Sequence, residues 1–512
     1  MEAVLFVLFA LSEMLLVFLI LLFSRRFSQN FALFMLLAVW AAHTKYVPIG
    51  NIHIFKPMIT HEFIALILGL AVLILIFKER YIGSAFFLTV CIFVHSLMAL
   101  HLFLIVAPVL VLKLRSERRL IKKYLFCGIL LTVGALIYLN FMTPPFLTSQ
   151  EAVLFMLEKG DCMHVSPLNQ SVLGWIHMLG LSLMAWLVST IYFIENKNLQ
   201  MMRSFVAAGF IVGLLLSFAA ILTKLPFLAL LQPMRIFVWV FFLANVLIAA
   251  AAVLIFEKNI PLSLILLAVL IFNILNSQWS VVFILVGLLY IAGDIIRSFV
   301  GGFIPLFWEA VVRVFLIIGM VLVFAAWLPV VNHSVESFKQ PYTLFPALVL
   351  ALIAAKIIPI KAYKPALYIL IIYSFAAASY FHHRHDFFSA QIDSEWDKAQ
   401  IWCRENTDMN DRFITPPEGD NFRILSLRTT LSEDMPALVW IDPFEYQINH
   451  IRVEEVLKGY SGGLWDLNFL FSLADKWKAA YVIVNHSYIP EDQKPVYRSG
   501  AYSIFSVENR DK

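Results

Sequence analysis

Residues 82–123 read IGSAFFLTVCIFVHSLMALHLFLIVAPVLVLKLRSERRLIKK, and this stretch decides the fold. Its apolar part, 82–112, is too long for one bilayer crossing, which takes roughly 20 residues as helix. Gly83, Ser84, His95 and His101 interrupt it, so it reads as two short helices meeting near Ser96. The basic cluster Lys113, Arg115, Arg118, Arg119, Lys122 and Lys123 follows at once. Positive charge beside an apolar span marks a cytoplasmic loop.

Working outward, further spans are expected at about 3–23, 28–43, 61–77, 124–142, 171–193, 204–222, 236–256, 306–330, 343–358 and 365–381. A second double-length stretch, 261–296, is broken at Asn276-Ser277-Gln278. Together these make a membrane all-α bundle of about 12–14 spans. With the 113–123 cluster inside, Arg25-Arg26, Lys78–Arg80, Asn196–Arg203, Glu257–Asn259, Asp294–Arg297 and Lys356–Lys364 all fall on the same side. The outer face then carries the loops 44–60, 143–170, 223–235 and 331–342, and the N-terminus as well. An outer N-terminus without a basic leader is what a chain lacking an earlier helix and loop would show.

Composition sets the same frame. Of the 512 residues, 61% are hydrophobic and 14% charged, which excludes an ordinary soluble enzyme, a disordered chain and a nucleic-acid-binding module. Charge divides the chain in two. From Asp386 onward there are 21 acidic and 13 basic residues, a net of −8, whereas residues 1–385 have a net of +12. The expected organisation is therefore a multispan domain, 1–385, and a soluble extracytoplasmic α/β domain, 386–512. Four cysteines are too few for a disulfide scaffold. Cys162 and Cys403 both fall on the outer side and read as isolated thiols.

Polar groups inside an apolar helix need a reason. Glu309 and Arg313, four apart, pair on one face, and a structural ion pair is the reading favoured for them. Glu13 has no local partner in sequence. His95 and His101 sit near the break of the first helical pair, where hydrogen bonding to a neighbouring helix is the ordinary role.

The outer loops hold the candidate chemistry. Loop 143–170 contains an amphipathic stretch, 151–158, and then Gly160-Asp161-Cys162-Met163-His164, in which Asp161 and His164 can converge on one ligand. Lys224 and Arg235 bracket a loop that contains Gln232-Pro233. A guanidinium at the water–lipid boundary suits a phosphate. Glu62 heads the span 61–77, next to His61. The candidate catalytic residues are Asp161 and Glu62, and the candidate substrate contacts are Arg235, Lys224, His164 and Gln232. No metal ligands are assigned; His382-His383-Arg384-His385 alternates badly for one ion.

The tail reads helix (Asp393–Asn406), turn (Thr407–Asp411), strand (Arg412–Thr415), strand (Phe422–Ser426), helix (Leu464–Lys478), strand (Ala479–Val484) and a hairpin turning at Ser499-Gly500. A Trp-containing helix ending in Asn406-Thr407, then Phe413-Ile414-Thr415-Pro416-Pro417, Tyr481-Val-Ile-Val484 and Tyr502-Ser-Ile-Phe505, resembles the extracytoplasmic tail of polytopic glycosyltransferases of the GT-C type. It is similar also to bacterial multispan proteins of unknown function with such a tail. The resemblance covers about 120 residues in detail. It implies a cell (inner) membrane protein of the bacterial envelope that moves a sugar from a polyprenyl-phosphate donor on the outer face, with membrane lipids as surroundings and a divalent metal as the cofactor left open. The chain departs from that family in one respect. GT-C enzymes carry an acidic pair in the first outer loop, and loop 44–60 here has no carboxylate; the nearest is Glu62. A non-catalytic role in envelope polysaccharide assembly is the alternative, with a transporter behind it.

Overall fold

A computed structural model of the chain describes residues 2–28, 33, 34, 37, 47–49, 61–116, 121–141, 165–225, 228–229, 231–256, 258–274, 279–300, 394–416, 422, 426–432, 443–461, 464–485 and 494–508. The expected spans at 306–330, 343–358 and 365–381, nearly all of 28–43, and the residues Asp161, Cys162, His164, Glu309, Arg313 and His382–His385 lie outside the described residues, as does the Glu13 side chain. The chain divides into two compact units. One comprises Met1–Thr143, Met163–Thr223 and Leu231–His383; the other comprises Pro144–Cys162, Lys224–Leu230 and Arg384–Lys512.

The first unit is helical. Its helices are α1 (Glu2–Ser24), α2 (His61–Phe77), α3 (Tyr81–Ser116), α4 (Ile121–Phe141), α5 (Val172–Tyr192), α6 (Lys197–Thr223), α7 (Ile236–Leu254), α8 (Ile260–Ile274) and α9 (Trp279–Val300). Four stretches are long and apolar enough to cross a membrane among the described residues: Tyr81–Lys113, Val172–Tyr192, Lys197–Thr223 and Pro233–Leu254. The first of them is not one straight rod. His95 has φ −157° and ψ 92°, which breaks the helical hydrogen-bond ladder. The Lys113 ammonium then donates to the Tyr81 hydroxyl at 3.1 Å, so residues 32 apart in sequence meet. At 1.5 Å of rise per residue that meeting requires two antiparallel arms, which is the helical pair expected for 82–112. Likewise α8 and α9 are separate helices within 261–296.

Helix α7 is the centre of this unit: every residue from Ile236 to Ala252 is buried. A helix apolar on all sides belongs in a core. Gly69 of α2 lets the Trp239 indole lie against the α2 backbone, since a Cβ there would collide with the ring. The indole N–H donates to the Met98 carbonyl at 3.3 Å, joining α7 to the second arm of α3. Outward-facing positions of α4 and α6, such as Leu125, Ile129, Leu136, Ile211 and Leu215, are exposed and apolar.

The second unit holds a small mixed sheet. The elements are α10 (Glu395–Asn406), β1 (Arg412–Ile414), β2 (Thr429–Thr430), α11 (Pro443–Leu457), β3 (Tyr460–Ser461), β4 (Leu464–Trp465), α12 (Leu467–Trp477), β5 (Tyr481–Asn485), β6 (Tyr497–Ser499) and β7 (Tyr502–Ser506). The strand order is β2-β1-β5-β7-β6. β1 is parallel to β2 and β5, while β7 is antiparallel to β5 and β6. Ser394 caps α10, accepting from the Asp397 amide at 3.0 Å. Gly500, at φ 51°, turns the hairpin, and a side chain there would strike the Glu395 carboxylate. That carboxylate accepts from the Ala501 amide at 2.8 Å, fastening α10 to the turn.

Two expectations for the tail are corrected. Phe422 and Ser426 are helical rather than extended, and the Ser426 hydroxyl donates to the Phe422 carbonyl one turn back. The strand lies later, at Thr429–Thr430, where the Thr430 hydroxyl meets that of Thr415 at 2.8 Å. Helix α12 begins at Leu467, because Asp466 caps it while Leu464-Trp465 pairs with β3. Cys403 is a free, fully buried thiol between α10 and the sheet.

Candidate functional site

Three of the residues proposed from sequence come to one place in the first unit. Glu62 lies in the first turn of α2. Arg235 closes a 3-10 turn, Pro233–Arg235, that leads into α7. The Arg235 guanidinium reaches the Glu62 carboxylate at 3.3 Å across 173 residues of sequence. The two side chains are 17% and 19% exposed, shielded enough for the attraction to exceed that of a surface pair. Gln232 precedes the turn in the left-handed conformation (φ 47°, ψ 57°) and is buried.

The break in α3 completes the cluster. His95 Nε2 is 4.0 Å from the Glu62 carboxylate, and its Nδ1 accepts from the Met98 amide at 3.5 Å, capping the second arm. Six residues on, His101 is fully buried, and its Nε2 meets the Leu231 carbonyl at 2.8 Å. A carbonyl can only accept, so this nitrogen carries the proton and Nδ1 presents a lone pair. The α2 N-terminus, the α3 break and the 231–235 turn are thus held together by polar side chains. Three buried polar atoms here have no hydrogen-bond partner among the described residues: Arg235 Nε, Gln232 Oε1 and His101 Nδ1. They comprise one donor and two acceptors. Buried polar groups are rarely left unsatisfied, and this set suits a ligand that both accepts and donates, as a phosphate ester bearing hydroxyls does.

Lys224 is exposed, in the left-handed residue that follows α6 (φ 52°). Asp161 and His164 both fall outside the described residues. Among the described residues no group of three or more His, Cys, Asp or Glu side chains is arranged to hold a metal ion.

A second polar network went unread in the sequence. His177 Nε2 meets Asn273 Oδ1 at 2.8 Å, the Asn273 amide donates to Asn245 Oδ1 at 2.8 Å, and Asn245 donates to the Phe241 carbonyl at 2.8 Å. Ser280 lies 3.3 Å from His177 Nδ1. These bonds join α5, α7, α8 and α9, and each partner has a ready structural role. Asn245, alone in a wholly apolar helix, was the sequence signal for it.

Comparison with protein-family models, with characterised proteins and with solved structures finds no match for this chain.

Proposed function

We propose that the chain is a polytopic inner-membrane protein of about 12–14 spans, with residues 386–512 on the outer face, and that it transfers a sugar from a polyprenyl-phosphate donor in the manner of GT-C enzymes. The observation that carries the proposal is the Glu62–Arg235 pair at the ends of two apolar helices, beside His95. In this reading Glu62 is the general base and Arg235, 3.3 Å away, is the cation that meets the leaving phosphate. A donor phosphate entering beside Arg235 would share the guanidinium, whose Nε has no partner among the described residues. The acceptor hydroxyl attacks the anomeric carbon and its proton passes to Glu62. The bond from that carbon to the phosphate oxygen breaks, and its electron pair leaves on the phosphate, which Arg235 stabilises.

The test is incubation of purified full chain with radiolabelled polyprenyl-phosphate sugars and envelope acceptors. Transfer by the wild type, reduced about 100-fold or more in Glu62→Gln, is expected, in line with loss of a general base. Full transfer by that variant would remove Glu62 from the chemistry.

One observation favours a second reading, a non-catalytic role in envelope polysaccharide assembly. Glu62 and Arg235 already neutralise each other, as a structural pin between α2 and α7 would. Under that reading the double variant Glu62→Gln/Arg235→Gln keeps envelope function in cells; under the catalytic reading it does not.

A further inference from the structure

At the other end of α2 the same unit forms an open polar cavity of about 770 Å³. The 17 residues of α2 separate Glu62 from this cavity by about 26 Å of helix. Its walls carry five cations, Arg26, Lys78, Lys113, Lys197 and Arg203, and the single carboxylate Glu79. Lys113 and Glu79 neutralise each other at 2.8 Å. The remaining four cations have no carboxylate partner among the described residues. They come from three separate places, the end of α1, the end of α2 and the start of α6, so no local sequence repeat brings them together.

Of the four, the Arg203 side chain is held in position and the Arg26 backbone is pinned. The Arg203 guanidinium donates to the Thr190 hydroxyl at 2.8 Å and lies over the Trp186 ring at 5.9 Å. The Arg26 carbonyl accepts from the Asn198 side chain at 2.9 Å, pinning the turn after α1 to the start of α6. Arg26 Nε is buried with no hydrogen-bond partner among the described residues. A positive loop needs only exposed lysines to set orientation. It needs neither a cavity of this volume nor a buried guanidinium nitrogen without a hydrogen-bond partner among the described residues. Four like charges around one cavity repel one another, and a multiply charged anion inside would relieve that repulsion.

We propose that this cavity binds a phosphate group carried on an anionic ligand, with the Arg203 and Arg26 guanidinium groups as its donors and Lys78 and Lys197 as counter-charges. Guanidinium forks match phosphate oxygens, and basic pockets at the cytoplasmic ends of membrane helices hold lipid phosphates. The volume is that of a small-molecule site and accommodates a headgroup or a soluble phosphate ester. The site is independent of glycosyl transfer at Glu62.

Thermal unfolding of delipidated full chain in neutral detergent tests the proposal against three probes: dioctanoyl-phosphatidylglycerol, inorganic pyrophosphate and, as control, dioctanoyl-phosphatidylcholine. A saturable rise in melting temperature with phosphatidylglycerol alone identifies a lipid headgroup; with pyrophosphate, a soluble phosphate. Either supports the site when the apparent affinity falls at least tenfold in Arg26→Gln/Lys197→Gln, at roughly fivefold per cation. Lys78→Gln, which removes one partly exposed charge and leaves the helix contacts intact, is expected to weaken binding roughly fivefold and covers the case in which the double variant does not fold. No saturable shift with either anion overturns the proposal. So does a shift of equal size with phosphatidylcholine, or affinity unchanged in the variants.

Discussion

Replacing Glu62 by glutamine leaves the Arg235 guanidinium shielded and without its counter-charge. For a pair this shielded the cost is about 1–3 kcal/mol, smaller than for a fully buried pair. Arg235→Gln is expected to cost a similar amount, and the double variant less than the two singles together by about 1–2 kcal/mol, measured as coupling in a double-mutant cycle of denaturation. Strict additivity would show that the pair contributes nothing to stability. Cys403 tests the tail at the same scale. Burial pushes its thiol from the ordinary 9.0 up to about 12. The folded chain is therefore expected to resist iodoacetamide at Cys403 at pH 8, with labelling only in denaturant, read by peptide mass spectrometry. Because the neutral thiol is favoured in the fold, its contribution to stability is present below about pH 9 and is lost as pH rises toward 12. Glu62 and Arg235 were each legible as charges at the head of an apolar helix. Their pairing was not, because 173 residues separate them and nothing local encodes which helix ends meet.

Elements show a different balance. The pair of arms in α3 was readable because an apolar run of that length has to be broken, and the polar residues marked where. Bounds of α2, α5 and α7 also follow from runs of apolar residues flanked by charge or proline. Helix α11 was missed because Pro443–Leu457 interleaves polar and apolar residues without a continuous stripe. The strand expected over 422–426 was misread at Phe422 and Ser426 because alternation over five residues does not by itself separate a strand from a helical turn. What closes α10 was likewise invisible. Arg428, 9% exposed, sends Nη2 to the carbonyls of Arg404 at 2.7 Å and Thr407 at 2.6 Å, and Nε to the Thr407 hydroxyl at 3.0 Å. It satisfies carbonyls that the end of α10 leaves without helical partners. Arg428→Ala strands them in a buried setting, and a loss on the order of 2–3 kcal/mol is expected. Hydrogen exchange would report it as faster amide exchange across α10 than in wild type, with α12 less affected. Uniform protection in the variant would mean that the helix end is held by other contacts.

At the scale of the whole molecule the charge pattern and the described helices bear on one question, which end of the bundle faces the cytosol. The five cations of the cavity gather at one end of α2, and Glu62 with Arg235 at the other. Cation excess beside apolar spans is the usual signature of a cytoplasmic face, and the proposed function puts the tail on the opposite side. Full-length single-cysteine variants in a background with the four native cysteines replaced resolve the arrangement in intact cells. Met409, 72% exposed in the tail, is expected as Met409→Cys to react with a membrane-impermeant maleimide added outside. Lys197→Cys, at the start of α6, is expected to react only after permeabilisation. The reverse pattern would put the basic cavity on the outer face and the tail in the cytosol. The donor chemistry at Glu62 would then face the wrong aqueous phase. A phosphate site at the basic end would remain, reached from outside and no longer from the cytosolic pool of anionic lipid and soluble phosphate.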